Sequence, residues 1–207
     1  MSAATQRREV VQPATFAFTQ ENAAKAKKII AKYPKGRQAS AVMPLLTLAQ
    51  KQNENWLPKA AMDYIAEVLD MAPIRVYEVA TFYTMYNLTP VGKHLVELCT
   101  TTPCWLRGSD AIVKACEKHL GVAVGETTPD GKFTLKEAEC LGACVNAPML
   151  SVGDVFYEDL TPENVVKLLD DLKEGRTPKA GSQGGRVSSE PQGGATTLKK
   201  SAKGAKH

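Results

Sequence analysis

The spacing of apolar residues divides the chain into a helical first half and a mixed second half. Between residues 16 and 90, apolar side chains recur every three or four positions, which is typical of amphipathic helices. The pattern predicts four helices, which begin near Asn22, Gln38, Pro58 and Pro73. Short helices bury their apolar faces against one another, so residues 16–90 are predicted to form a small helical bundle.

From residue 91 the pattern changes to short runs of β-prone residues that alternate with amphipathic helices. Predicted strands cover 95–99, 133–135, 149–152 and 155–157, and predicted helices cover 109–120 and 161–172. The resulting order, β-α-β-β-β-α, suits a small sheet with helices packed on it. Residues 91–174 are therefore predicted to form a small α/β domain, whose element order is compatible with a thioredoxin-like layout, and the whole chain is predicted to be an α+β protein.

The two ends of the chain lack a pattern that could build a core. Residues 1–15 are predicted to form a flexible amino terminus. Residues 175–207 are rich in Gly, Ser and Lys, and their only larger apolar residues are Val187 and Leu198. Such a segment cannot offset the entropy lost on ordering, so we predict a disordered carboxy-terminal tail.

The positive charge of the chain is concentrated in this predicted tail. The whole chain has a net charge of +4, whereas residues 175–207 contain seven lysines and arginines and one acidic residue, Glu190. The predicted folded part is therefore slightly acidic, which argues against a nucleic-acid surface. No apolar run reaches the roughly 18 residues of a membrane-spanning helix, so we expect no membrane insertion.

The amino terminus determines how the cysteines are interpreted, because it contains no predicted export signal. The first ten residues contain no apolar stretch of the kind found in secretory signals, although a very short organelle-import segment is compatible with them. In a reducing compartment, the five cysteines of the chain indicate metal binding or redox chemistry rather than a disulfide framework.

Four of the cysteines form two pairs, each placed just after a predicted strand. Cys99 and Cys104 form a Cys-x4-Cys pair, and Cys140 and Cys144 form a Cys-x3-Cys pair. A 2Fe-2S cluster needs four thiolates, so two local pairs on adjoining loops could hold it. Backbone N–H groups of residues 100–102 and 141–143 are predicted to point at the sulfurs and stabilise the negative cluster.

Other chemistries for these cysteines fit the spacing less well. A structural zinc site with four cysteine ligands, in an interaction module, is the main alternative, but zinc pairs more often have Cys-x2-Cys spacing. A thioredoxin-type dithiol also needs Cys-x-x-Cys, which is absent from the sequence. A Rieske centre needs two histidines, and neither cysteine loop contains one. Cys116 lies among apolar residues of a predicted helix and is interpreted as a core residue.

The sequence contains no motif for binding a nucleotide. Neither Gly-x-Gly-x-x-Gly after a strand nor a phosphate-binding Gly-x4-Gly-Lys-Ser/Thr occurs. A one-electron carrier without a substrate site exchanges electrons with a protein that has one. We therefore expect the nucleotide and its hydride chemistry to belong to a partner.

Several stretches of the chain resemble a known family. They are residues 76–86 (VYEVATFYTMY), 91–94 (VGKH), 99–104 (CTTTPC), 128–135 (TPDGKFTL) and 139–148 (ECLGACVNAP). Between about residues 16 and 172 the chain is similar to the small 2Fe-2S subunit of NADH:quinone oxidoreductase, respiratory complex I. All four paired cysteines agree with the pattern of that family.

The resemblance implies a function and a set of partners. It implies a helical amino-terminal region, a thioredoxin-like 2Fe-2S domain over 91–174, and one cluster held by Cys99, Cys104, Cys140 and Cys144. We expect the helical domain, 16–90, to dock a partner, because four short helices make a thin bundle that leaves an apolar patch exposed. FMN and NADH are expected only on a larger flavoprotein subunit, beside further iron–sulfur subunits. The implied location is peripheral, on the cytoplasmic side of a bacterial respiratory membrane or the matrix side of a mitochondrial one.

Two other electron-transfer roles stay open at this stage. Related subunits occur in NAD-linked hydrogenases and formate dehydrogenases, so the cluster is better supported than the parent complex. A free ferredoxin-like carrier is the other alternative, but such a carrier has little use for the long helical segment over residues 16–90.

Overall fold

The computed structural model describes residues 10–191, 193, 194 and 197. The chain divides into two compact units, the first ending at Val91 and the second beginning at Gly92. Within the described residues, no helix is both long enough and apolar enough to cross a membrane. The predicted flexible terminus, 1–15, falls mostly outside the described part, as does the end of the predicted tail.

The first unit is helical. Its helices are α1 (Gln20–Ile30), a short 3₁₀ helix (Gln38–Ala41), α2 (Val42–Gln52), α3 (Lys59–Val68) and α4 (Pro73–Phe82). The Thr19 hydroxyl caps α1 by accepting a hydrogen bond from the Asn22 N–H at 3.2 Å. Pro73 occupies the first turn of α4, where a missing N–H costs nothing.

One apolar cluster holds the helices of this unit together. Leu45 and Leu46 of α2 and Ile65 of α3 are fully buried in it, and Val76 of α4 joins them. The i, i+3 and i+4 spacing of apolar residues that predicted the helices therefore places these side chains on the faces that pack. The predicted helical bundle matches the helices of this unit.

In the described part of the second unit, a five-stranded sheet is combined with three α-helices. Its elements are β1 (His94–Cys99), α5 (Thr102–Leu106), α6 (Ser109–Leu120), β2 (Phe133–Ala138), a 3₁₀ turn (Cys144–Asn146), β3 (Leu150–Val152), β4 (Val155–Glu158), α7 (Pro162–Lys173) and β5 (Gly181–Ser182). The strand order is β2-β1-β3-β4-β5. The β1–β2 and β4–β5 pairs are parallel, and β1–β3 and β3–β4 are antiparallel.

The core of the second unit lies between the sheet and two of its helices. Val96 of β1 and Leu135 of β2 are fully buried in one cluster with Cys116 of α6 and Leu169 of α7. A capping box at Thr161 begins α7, and Gly121 ends α6 in a left-handed conformation. The predicted α+β class is confirmed, and the four predicted strands and two long helices of this unit are all present.

The structure differs from the predicted disordered tail over residues 175–191. Here β5 pairs with β4, with Gly181 opposite Tyr157, and Arg186 forms an ion pair with Asp159. Backbone pairing and charged side chains therefore order a segment that has almost no apolar residues. Apart from three single positions, residues 192–207 lie outside the described residues.

Candidate metal centre

The first cysteine pair is buried at the end of β1. Cys99 is the last residue of β1, and Cys104 lies inside the short helix α5. Both are nearly inaccessible to solvent. Pro103 stands in the first turn of α5, where its fixed φ suits the helix start and positions the next residue, Cys104.

The second cysteine pair lies on the loop that follows β2 and is exposed. The Sγ atoms of Cys140 and Cys144 lie 3.4 Å apart. Between them Gly142 adopts a φ of +88°, which reverses the chain and brings the two thiols to the same side. A 3₁₀ turn then begins at Cys144.

Strand register explains why the two pairs adjoin. β1 and β2 are parallel, and Cys99 lies opposite Ala138. The carboxyl ends of parallel neighbours share one edge of the sheet, so the loops after Cys99 and Ala138 emerge side by side. The Leu141 N–H of the second loop donates a hydrogen bond to the Cys99 sulfur, which ties the loops directly.

The surroundings of the first pair give its two thiols different pKa values. Burial acts to raise the pKa of Cys99, but hydrogen bonds from the Leu141 N–H, the Cys104 thiol and Thr101 outweigh it and lower that pKa. Burial, the hydrogen bond to Cys99 and the charge of Cys99 raise the pKa of Cys104 to about 12. Cys99 is therefore the first thiolate of this pair.

The thiols of the two pairs also act on one another. The hydrogen bond to Cys140 is the main cause of the raised pKa of Cys144. Desolvation and the negative charges of Cys140 and Cys99 raise this pKa further. The charge of Cys144 in turn contributes to the raised pKa of Cys104. Four thiolates this close repel one another, and cations held among them would remove that repulsion.

The donor set fits a 2Fe-2S cluster. The four thiols are arranged as two adjoining pairs, and amide N–H groups already point at two of the sulfurs. Within the part of the chain that the structure describes, no three His, Cys, Asp or Glu side chains are grouped so that they could hold a single metal ion. Two pairs of thiolates and N–H donors to sulfur are what a cluster of two irons requires.

The structure places the two cysteine pairs that the sequence singled out on adjoining loops and leaves the fifth cysteine apart. Cys116 is fully buried in α6 with the apolar core, and burial raises the pKa of its thiol to about 12. The ligand role of the four paired cysteines remains a prediction. Of the predicted N–H donors, those of Thr101 and Leu141 contact the Cys99 sulfur.

Sequence reasoning missed other groups around the thiols. The Met149 N–H donates to the Cys104 sulfur, although Met149 lies in a different loop. Arg107, which follows α5, donates from Nε to the Ala147 carbonyl at 3.4 Å and so links the two cysteine loops. Only the tertiary fold brings these residues near, and the spacing of the cysteines contains no signal for them.

Comparisons with known proteins agree with this geometry. A family model described as "Thioredoxin-like [2Fe-2S] ferredoxin" matches residues 26–173. The chain is 56% identical over 183 residues to "NADH dehydrogenase [ubiquinone] flavoprotein 2, mitochondrial" of Dictyostelium discoideum, covering 88% of this chain and 74% of that protein. It is 58% identical over 158 residues to a subunit of the NADH-quinone oxidoreductase of Rickettsia conorii, covering 76% of this chain and 95% of that protein.

A solved structure shares the fold at low sequence identity. The crystal structure of an NAD+-reducing [NiFe]-hydrogenase in the air-oxidized state aligns with a TM-score of 0.55 and 17% identity. The alignment covers 63% of this chain and 23% of that one. A likeness at this identity shows a common fold and no more.

Proposed function

Because this chain belongs to the thioredoxin-like 2Fe-2S ferredoxin family, we propose that it carries one 2Fe-2S cluster on Cys99, Cys104, Cys140 and Cys144. We propose further that it serves as an electron-transfer subunit of an NADH dehydrogenase. The observation that carries the proposal is the convergence of two thiol pairs at one edge of the sheet, in a chain of this family.

Sequence identity selects the NADH dehydrogenase over the other electron-transfer roles. The two relatives described above, at 56% and 58% identity, have the names of NADH dehydrogenase components, whereas the hydrogenase shares only the fold. The predicted resemblance, the thioredoxin-like fold and the 2Fe-2S cofactor are confirmed by the family match. Nothing in the comparisons favours a zinc module or a free carrier.

The cluster supplies one-electron transfer, and the protein controls which side of it a partner can reach. Cys99 and Cys104 lie under Met149 and Ala147 in a small apolar cluster, which shields that side from water. Cys140 and Cys144 are exposed. An electron donor or acceptor therefore approaches over the second pair.

Exposed apolar side chains next to a cysteine of each pair suit contact with a protein. Trp105 and Leu106 of α5 and Val145 beside Cys144 are exposed by 56%, 71% and 66%. Large apolar residues cost free energy when left in water and are favoured in interfaces. We propose that this surface meets the subunit that binds FMN and NADH.

The helical unit offers a second surface for docking. Phe82, Tyr83 and Met85, here called the α4 patch, are exposed by 77%, 40% and 47%. The Phe82 and Tyr83 rings are stacked edge to face, with centroids 5.0 Å apart, which presents a preformed aromatic surface. We assign this patch to the flavoprotein subunit.

The location follows from the assembly. We place the chain at the periphery of the respiratory membrane, on the cytoplasmic side in bacteria and the matrix side in mitochondria. It is held there by its partners.

Reduction by NADH tests the proposed function. The purified chain should contain about two irons with acid-labile sulfide, and NADH alone should leave its visible absorption unchanged. Adding catalytic amounts of the flavoprotein subunit should let NADH bleach that absorption. A colourless protein that contains zinc, or a cluster that the flavoprotein cannot reduce, would contradict the proposal.

A further inference from the structure

The residues after α7 pack against the loop that carries Cys144. These residues, 176–191, are here called the C-terminal segment, and they lie beyond the end of the family match at residue 173. Strand β5 attaches the segment to β4, and the Gln183 N–H donates to the Glu158 carbonyl at 2.8 Å. The segment is thus fixed to the sheet shortly before it meets the loop.

Arg186 is the anchor of this segment. Its side chain is only 12% exposed. It forms a bidentate ion pair with Asp159, in which Nε lies 2.9 Å from Oδ2 and Nη2 lies 2.5 Å from Oδ1. The Ser182 hydroxyl donates to the same carboxylate at 2.6 Å. Planar, largely buried pairs of this kind are among the strongest charged hydrogen bonds and fix direction as well as distance.

The same guanidinium reaches the cysteine loop. Arg186 Nη2 donates to the Val145 carbonyl at 2.9 Å, directly after Cys144. Asn146 Nδ2 donates to the Ser188 carbonyl at 2.9 Å, and the Asp159 N–H donates to the Asn146 carbonyl at 2.8 Å. The turn that begins at Cys144 is therefore held from outside by Arg186, Asp159 and Ser188.

The Val145 peptide is the exposed part of this turn, whereas Asn146 and Ala147 after it are buried. Val145 is 66% exposed and adds no packing to the core, and Cys144 is exposed as well. The Val145 carbonyl therefore depends on its polar contact with Arg186 for its orientation. Removing the guanidinium would leave the Val145 carbonyl to water and release one side of the turn.

We propose that Arg186 is a positioning residue for the cluster, because it holds the Val145 carbonyl against Asp159 and so fixes the Cys144 sulfur relative to the first cysteine pair. This inference rests on the proposed function, since it needs a cluster on the four cysteines. Asp159 neutralises the charge of Arg186, so the effect is one of position and not of net charge near the cluster.

Three variants of the full chain test the proposal. Arg186→Gln removes the ion pair. Arg186→Lys keeps the positive charge, but a lysine ammonium group cannot reproduce the bidentate bond to Asp159 together with the hydrogen bond to the Val145 carbonyl. Arg176→Gln is the matched control, because Arg176 belongs to the same segment but pairs with Asp171, and its side chain is 55% exposed. The readouts are the EPR line shape of the reduced cluster, the rate of iron loss to excess EDTA and the thermal unfolding midpoint.

The proposal predicts a broadened EPR line and roughly tenfold faster iron loss for Arg186→Gln, smaller changes for Arg186→Lys, and wild-type behaviour for Arg176→Gln. An Arg186→Gln protein that unfolds at a lower temperature with an unchanged EPR line and iron-loss rate would overturn it, since the arginine would then be purely structural. If Arg186→Gln does not fold, wild-type values for Arg186→Lys overturn it instead. A wild-type chain without iron would contradict the proposed function itself.

Discussion

Gly142 lies between two proposed ligands in a left-handed backbone conformation. Its φ is +88°, and a Cβ built there would meet no atom of the described chain within 4 Å. A clash with the protein, the obvious expectation for a side chain between two ligands, is therefore not what restricts this position. The restriction is conformational, because L residues other than Gly rarely adopt such a φ.

The chain offers a matched control for the effect of Gly142. Gly125 has a φ of +91° and equally open surroundings, but it lies in a loop without proposed ligands. Replacing either glycine by Ala should cost a similar amount of stability, about 1 kcal/mol, measured by chemical unfolding. Only Gly142→Ala should also lower the iron content. Equal iron content in the two variants would show that Gly142 has no special role in placing the thiols.

Sequence predicts the parts of the site that are formed by residues close to one another along the chain. Cys140 and Cys144 are separated by three residues, so their pairing could be predicted from the chain itself. The Met149 N–H on the Cys104 sulfur and the Arg186 contact with Val145 each join residues from separate elements, far apart along the chain. Such contacts depend on tertiary structure, and spacing along the chain does not encode them.

At the scale of elements, the pairing of β1 with β2 positions both cysteine loops. Gly92, just before β1, approaches the start of β2 so closely that a Cβ would lie 2.7 Å from the Phe133 carbonyl carbon. Its N–H donates to the Thr134 hydroxyl at 2.6 Å. The absence of a side chain at residue 92 therefore sets how near β2 can lie to β1.

Substitution of Gly92 tests the importance of this close approach. Gly92→Ala must push the β2 backbone away and should lower the free energy of unfolding by about 1–3 kcal/mol. Urea unfolding followed by circular dichroism measures the change. Gly193→Ala, at a position with open surroundings and no positive φ, should leave the unfolding free energy unchanged. Equal stability of the two variants would mean that the strands adapt to the added methyl group.

The elements that were predicted well from sequence are those long enough for the apolar repeat to occur several times. Helix α6 spans Ser109–Leu120, as its pattern indicates, because Ile112 and Cys116 recur on one buried face. Helix α5 has only five residues, and strand β5 has two, so neither is long enough to show a period. Both were missed, and β5 exists because a partner strand supplies its hydrogen bonds.

At the scale of the whole molecule, the helical unit is assigned a docking role, and a substitution in the α4 patch tests it. Phe82→Glu places a charge in the centre of the patch and should weaken binding to the flavoprotein subunit roughly tenfold or more, as at interface hot spots. The change should leave the fold intact, because Phe82 is 77% exposed. Binding is measured by pull-down with the isolated flavoprotein, with visible absorption to confirm the cluster.

Ile74→Glu is the control for this experiment. Ile74 is also an exposed apolar residue of α4, but it lies at the opposite end of the helix, about 12 Å along its axis. The variant should bind the partner as the wild type does. If Phe82→Glu binds the flavoprotein normally, the interface is formed by the cluster domain, at the surface of Trp105, Leu106 and Val145.

The central claim concerns which cysteines hold the cluster, and one set of variants tests it directly. The measurement is iron content and EPR of the dithionite-reduced protein for Cys→Ala at each of the five cysteine positions, Cys99, Cys104, Cys116, Cys140 and Cys144. Each change in the two pairs removes a thiolate that an iron needs, so these four variants should lose or severely alter the signal. Cys116→Ala should retain about two irons and the wild-type EPR line, with only a packing cost of roughly 1 kcal/mol. Loss of the cluster in Cys116→Ala, together with an intact cluster in Cys144→Ala, would contradict the account.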